Sequence, residues 1–245
     1  MKLEQYWPGA LADHEVHIWH LAAGEQSKEL LNHTDCLSNR EKDKSNNFIL
    51  EKDRLGYITR RVFLRKVLAC YLDVACDQIK FTENDYGKPF IEGSINPQSL
   101  QFSLSKSHDH VLLAITQHRL IGCDIEKYNE ALDYKTIIDK FFSAQEINYI
   151  LGSSNQQTCF FDYWSAKEAY IKARGEGLSL PLDQFTLHID NNEYVTMLEN
   201  IFDQQDIDKW HIQCLKIDTG FSAAVAIKGK LSIVKMTDMI KFINL

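Results

Sequence analysis

Apolar and polar positions alternate along several stretches of this chain and recur at steps of three and four along others, which predicts strands and helices in mixture. HEVHIWHLAA (14–23) sets Val16 and Ile18 against His17, Trp19 and Leu21, a strand pattern, with its histidines expected at the surface. Residues 25–47 predict short helical pieces in a polar background. Over 53–71, Leu55, Ile58, Val62, Leu64, Leu68 and Tyr71 form one stripe with arginines outward, the mark of a long amphipathic helix. IKFTENDYGKPFI (79–91) predicts a strand, a turn over 85–89 and a resumed strand. QFSLSKSHDHVLLAITQHRLIGCDIE (101–126) predicts a strand, a polar loop at Ser105, Lys106, Ser107 and His108, and a hairpin delivering Asp124 and Glu126. In KFFSAQEINYI (140–150), Ser143 followed by Glu146 is a capping box. The tail alternates in LDQFTLHID, KWHIQCLKI, FSAAVAIKG and KLSIVKM and ends in a short helix over 237–243.

The most informative segment is TCFFDYWSAKEAYIKARGEGL (158–178). It predicts a helix capped by Thr158 and closed by Gly175 at a left-handed C-cap. Phe161, Trp164, Glu168 and Lys172 share one face, which places a carboxylate and an ammonium among large aromatics. A surface pair of the i, i+4 kind would explain Glu168 and Lys172 alone. In IGCDIE (121–126), Ile121, Cys123 and Ile125 alternate with Gly122, Asp124 and Glu126, so two carboxylates point the same way about 7 Å apart, a spacing suited to one hard cation. VLLAI (111–115) and AAVAI (223–227) each precede a charged turn and each follow a long helix, which suggests a duplicated unit. The expected class is therefore α+β, in two similar halves related by a pseudo-twofold, 1–120 and 121–245, with the site in the cleft between them.

Composition adjusts this picture at three points. With 245 residues, 44% hydrophobic and 25% charged, the chain can bury a real core. It carries no apolar run long enough for a membrane span and no signal-peptide core at its start, so a cytoplasmic protein without membrane contact is expected. The net charge of -7 argues against general nucleic-acid binding, yet residues 40–66 hold nine Lys/Arg against four acids, which fits either a solvated helix face or a docking surface for phosphate or an acidic partner. The six cysteines show no zinc spacing and are expected to be reduced thiols.

YGKP (86–89), FSLSKS (102–107), IGCDIE (121–126), FFSAQE (141–146) and WSAKEAYIKARGEGLSLPLDQF (164–185) together resemble 4′-phosphopantetheinyl transferases of the surfactin-synthetase-activating type. The resemblance implies a monomer that transfers the phosphopantetheine arm of coenzyme A to a serine of an apo acyl or peptidyl carrier protein, with Mg2+. On the matching positions it implies Asp124, Glu126 and Glu168 as metal ligands, with Glu168 also the base toward the carrier serine. It further implies Lys172 and Lys167 at the phosphates, and Lys44, Lys52, Lys88, Ser105 and Lys106 around the nucleotide. Lys106 stands where the family usually has histidine, which keeps charge but not imidazole chemistry. Two other readings use the same residues: a Mg2+-dependent phosphohydrolase, and a CoA- or carrier-binding module without chemistry.

Overall fold

The alternating stretches become two sheets, and the two long stripes become the helices that cover them. The computed structural model describes residues 10–22, 25–191, 193–230 and 233–238. In chain order the elements are β1 (Glu15–Ala22), α1 (Glu25–Leu30), α2 (Asn39–Asn46), α3 (Glu51–Leu72), β2 (Phe81–Glu83), β3 (Pro89–Ile91), β4 (Leu100–Ser107), β5 (His110–Gln117) and β6 (Ile121–Lys127). They continue with α4 (Ile138–Phe141), α5 (Ala144–Gly152), α6 (Gln156–Arg174), β7 (Phe185–Ile189), β8 (Tyr194–Asn200), β9 (Trp210–Cys214), β10 (Phe221–Lys228) and β11 (Ile233–Asp238). One sheet has the order β11-β1-β5-β4, the other β6-β10-β9-β8-β7, and β2 pairs with β3.

Both faces of the central strands are buried, which stacks the molecule as helix, sheet, sheet, helix. Trp19, Leu21, Leu113 and Ile115 pack with Ile58, Val62 and Leu68 of α3. On the opposite face, Val16, Ile18, Leu112 and Ala114 meet Cys123, Ile125, Ala223 and Val225 of the second sheet. The far side of that sheet contributes Ala224 and Ala226 to a core with Phe160, Ala169 and Tyr170 of α6. This is an α+β architecture in which each sheet carries one long helix. Among the described residues, no helix is long and apolar enough to cross a membrane.

Several expectations are corrected by the structure. β5 and β6 are not a hairpin: β5 pairs with β1 and β4, whereas β6 pairs with β10. The connection turns through His118 at φ 57° and lets the two strands pack face to face instead. Ser105, Lys106 and Ser107 belong to strand β4, and only His108 turns. Strand β8 was not expected. α6 starts earlier than predicted, with the Asn155 side chain, not Thr158, as its cap. Arg65 points inward, 2% exposed, because Glu41 and the carbonyls of Cys76 and Ile79 satisfy it there. His17 is buried and bonded to Tyr71 Oη at 2.7 Å. Cys36 and Cys76 form a disulfide, so these two are not thiols. Of the predicted terminal helix, 237–238 lie in β11 and the rest falls outside the described residues.

Candidate active site

The site is assembled where β6 lies under α6. A strand can approach a helix this closely only where side chains are absent, and Gly122 supplies the gap: a Cβ there would stand 2.1 Å from the Ala169 carbonyl oxygen. Gly122, Asp124 and Glu126 share that face, while Cys123 and Ile125 are committed to the core between the sheets. Between Gly122's two helix contacts, Ala169 and Ala173, Lys172 reaches Asp124 Oδ1 at 2.5 Å. From the other side, the odd-numbered serines of β4 reach across to the same strand. Ser105 donates to Asp124 Oδ1 at 2.8 Å and accepts from Lys172 at 3.1 Å. Ser107 donates to Glu126 at 2.9 Å, and Ser103 accepts from the Cys123 amide at 3.0 Å.

The cluster gathers carboxylates where burial makes their negative charge costly. Asp124 is 1% exposed, and its Oδ2 has no hydrogen-bond partner. Burial pushes Glu126 above the usual carboxylate range, and Asp124 adds to it. Glu168 is raised in the same way, first by burial; Lys172 opposes the shift, and Asp124 and Glu126 reinforce it. Burial would lower Lys172, but its ion pair and hydrogen bond to Asp124 lift it above the ordinary lysine value. Asp124, Glu126 and Glu168 thus form one coupled set of hard oxygen donors, the chemistry that a divalent cation neutralises. Lys172 now takes that part at Asp124, and among the described residues no three carboxylate, His or Cys side chains already stand in coordinating positions.

Lys172 lines one cavity, and two more lie along α3. One of about 300 Å³ is lined by Arg61, Tyr86, Gly87, Lys88, Lys172 and Gly175. Another of about 560 Å³, sharing Arg61, holds Arg40, Lys44, Tyr57 and Lys80. A third of about 290 Å³ gathers Lys28, Lys52, Arg60, Lys106 and His108. The candidate residues therefore separate. Asp124, Lys172 and Ser105 are in direct contact, Glu126 and Glu168 lie within electrostatic reach of them, Lys44 and Lys88 line adjoining cavities, and Lys52 and Lys106 share a different one because Lys106 points to the face of β4 opposite Ser105.

Lys167 is a correction. Its ammonium is fully buried, paired with Glu146 at 2.8 Å and bonded to the carbonyls of Leu182 and Phe185 at 2.7 Å, so it cannot meet a phosphate. Arg61 was missed as a site residue although it stands on the cavity-facing side of α3, four residues after Tyr57 and four before Arg65; that i, i+4 series was its signal.

A buried carboxylate paired with a lysine that lines a cation-bearing cavity suits a phosphorylated, polyanionic substrate. Comparison with known proteins specifies which. Residues 24–118 match the model for the N-terminal part of 4′-phosphopantetheinyl transferases, and residues 120–226 match the 4′-phosphopantetheinyl transferase superfamily. The chain is 30% identical over 221 residues to the 4′-phosphopantetheinyl transferase HetI of Nostoc sp., covering 89% of this chain and 90% of that one. It is 34% identical over 166 residues to the transferase gsp of Aneurinibacillus migulanus, 66% of each chain. Against Sfp of Bacillus subtilis it is 29% identical over 191 residues, 77% of this chain and 81% of that one. The chain belongs to the 4′-phosphopantetheinyl transferase family. It is a holo-carrier-protein synthase that moves phosphopantetheine from coenzyme A to carrier proteins.

Proposed function

We propose that coenzyme A lies along the two cavities joined by Arg61, with its pyrophosphate at Lys172 and its nucleotide toward Lys44 and Arg61. The observation that carries this reading is the Ser105, Asp124 and Lys172 cluster, buried at the meeting of β4, β6 and α6, whose Lys172 lines the first of those cavities. Asp124, Glu126 and Glu168 would hold Mg2+, whose chemistry when bound is to neutralise the nonbridging phosphate oxygens. The orphaned Asp124 Oδ2 and the raised Glu126 and Glu168 support that donor set.

The protein's own groups account for the rest of the transfer. The carrier serine Oγ forms a bond to the pantetheine-side phosphorus as the bond from that phosphorus to the bridging oxygen breaks, leaving adenosine 3′,5′-bisphosphate. Glu168 accepts the serine proton, a role that its raised affinity for protons suits. Lys172 is poised to leave Asp124 for the departing phosphate, while Ser105 keeps Asp124 in place. Lys52 and Lys106, in their separate cavity, lie closer to an incoming acidic carrier than to the pyrophosphate on this reading. We place the enzyme in the cytoplasm as a monomer acting on acyl or peptidyl carrier proteins.

The test is the intact mass of an apo carrier protein incubated with the enzyme, coenzyme A and MgCl2, with EDTA as control. A gain of one phosphopantetheine that EDTA abolishes is expected. Glu168→Gln is expected to remove transfer while binding of coenzyme A persists; transfer at the parental rate by that variant would overturn the assignment of the base.

A further inference from the structure

The turn between β2 and β3 is tied to the catalytic elements by side chains whose polar groups are already committed. Asn84 organises the turn itself, its Oδ1 accepting from the amides of Tyr86 at 3.0 Å and Lys88 at 2.8 Å. Its Nδ2 then donates to the Gly175 carbonyl at 2.8 Å, at the end of α6. Lys88 reaches further. Its ammonium donates to the Ala173 carbonyl of α6 at 2.9 Å and to the Ile121 carbonyl of β6 at 3.0 Å.

These acceptors are not arbitrary. Ala173 follows Lys172 directly, Ile121 lies three residues before Asp124, and the last carbonyls of a helix lack intrahelical donors and favour a cation. The packing is close as well. Gly175 has φ +80°, and a Cβ on it would stand 2.9 Å from Lys88 Cδ and 3.2 Å from Asn84 Nδ2. Tyr86 and Gly87 of the same turn line the cavity together with Lys172. One small turn thus touches the cavity wall, the helix that carries Glu168 and Lys172, and the strand that carries Asp124 and Glu126.

We propose that Asn84 and Lys88 are positioning residues that latch the 84–88 turn to α6 and β6 and so hold Lys172 and Asp124 in register with the coenzyme A cavity, Lys88 being a stitch and not a phosphate ligand. The inference rests on the placement of coenzyme A proposed above. If that placement fails, Arg61→Ala leaves coenzyme A affinity unchanged, which identifies the failure separately.

The experiment compares Lys88→Met and Asn84→Asp with the parent in three measurements: kcat and KM for transfer with coenzyme A varied, coenzyme A affinity as a function of ionic strength, and thermal unfolding. Asn84→Asp keeps an acceptor for the turn amides but sets a carboxylate against the Gly175 carbonyl, and it decides the matter where Lys88→Met does not fold. A positioning role lowers kcat by about tenfold or more in either variant, with coenzyme A affinity changed less than about threefold. The slope of affinity with ionic strength stays parental, because no charge facing a phosphate has been removed. Two results overturn the proposal. One is weakened binding with a shallower salt dependence and unchanged kcat in Lys88→Met, which makes Lys88 a phosphate ligand. The other is a lowered Tm with kcat and KM at parental values, which makes the latch a structural stitch only.

Discussion

At the scale of the residue, the most instructive side chain is Lys167, next to Glu168 in the chain but buried against Glu146. Its three protons go to Glu146, Leu182 and Phe185, and Glu146 in turn accepts from the amides of Ser143 and Leu187 at 2.8 Å each. Burial pushes Lys167 down to about 8 against the pull of Glu146, and raises Glu146. Removing one partner leaves the other charge buried and alone, so Lys167→Met is expected to cost about 3–5 kcal/mol in urea unfolding, with part recovered in the Glu146→Gln/Lys167→Met double variant. Coenzyme A affinity, measured by calorimetry below the transition, is expected to stay parental. Ser105→Ala makes the opposite contrast: loss of its bonds to Asp124 and Lys172 is expected to lower kcat/KM about tenfold with little change in Tm. The capping box of Ser143 and Glu146 was legible because it is local. Its second use was not, since Lys167 lies 21 residues further on and a lysine count says nothing of depth.

At the scale of the element, function depends on how closely α6 can approach β6. Asp124 and Glu126 could be assigned to one face because a strand has a period of two, and Gly175 could be assigned to the end of α6 because it takes the left-handed conformation there. Register between the two elements was not legible, since it is fixed by backbone contact at Gly122. A methyl group at that position would stand 2.1 Å from the Ala169 carbonyl oxygen and 2.3 Å from the Ala173 amide nitrogen. Backbone cannot rotate out of the way, so α6 must move. Gly122→Ala is accordingly expected to cost about 3 kcal/mol or more in thermal or urea unfolding, at the upper end for overpacking. Transfer by the folded fraction, assayed well below its Tm, is expected to fall as well, because Lys172 is carried away from Asp124. A variant with parental Tm and rate would show that the approach is looser than the contact implies. The mistaken hairpin of β5 and β6 has a related origin: neighbours in sequence share a turn, but their hydrogen bonds here go to β1, β4 and β10.

At the scale of the molecule, the two sheets are joined by more than their packed faces. The chain's last described strand, β11, returns to run parallel to β1 at the edge of the first sheet, with Glu15 opposite Ile233 and His17 opposite Lys235. Alternation in KLSIVKM made that strand legible, but not a partner 218 residues earlier in the chain, as Glu15 is from Ile233. The join carries an ion pair, Lys235 to Glu15 at 2.8 Å, with Glu15 only 8% exposed. The hydrogen bond from Lys235 is the main reason that Glu15 falls from 4.5 to about 2, against the opposing effect of burial. Because the folded value lies below the unfolded one, the stabilisation is complete above about 4.5 and is lost as the pH falls toward 2. Lys235→Met is expected to lower the urea midpoint at pH 7, and the gap to the parent is expected to close progressively between pH 4.5 and 2. Burial holds His17, beside Glu15, below the ordinary histidine value, and Lys235 adds to that lowering, so the comparison is read below pH 4.5, where Glu15 titrates. A gap that stays constant to the bottom of that range would mean that Lys235 secures β11 through its aliphatic stem. A gap that closes would show that the return of the chain to its first sheet is held by charge, through a pair that shares no residue with the acids of β6 and α6.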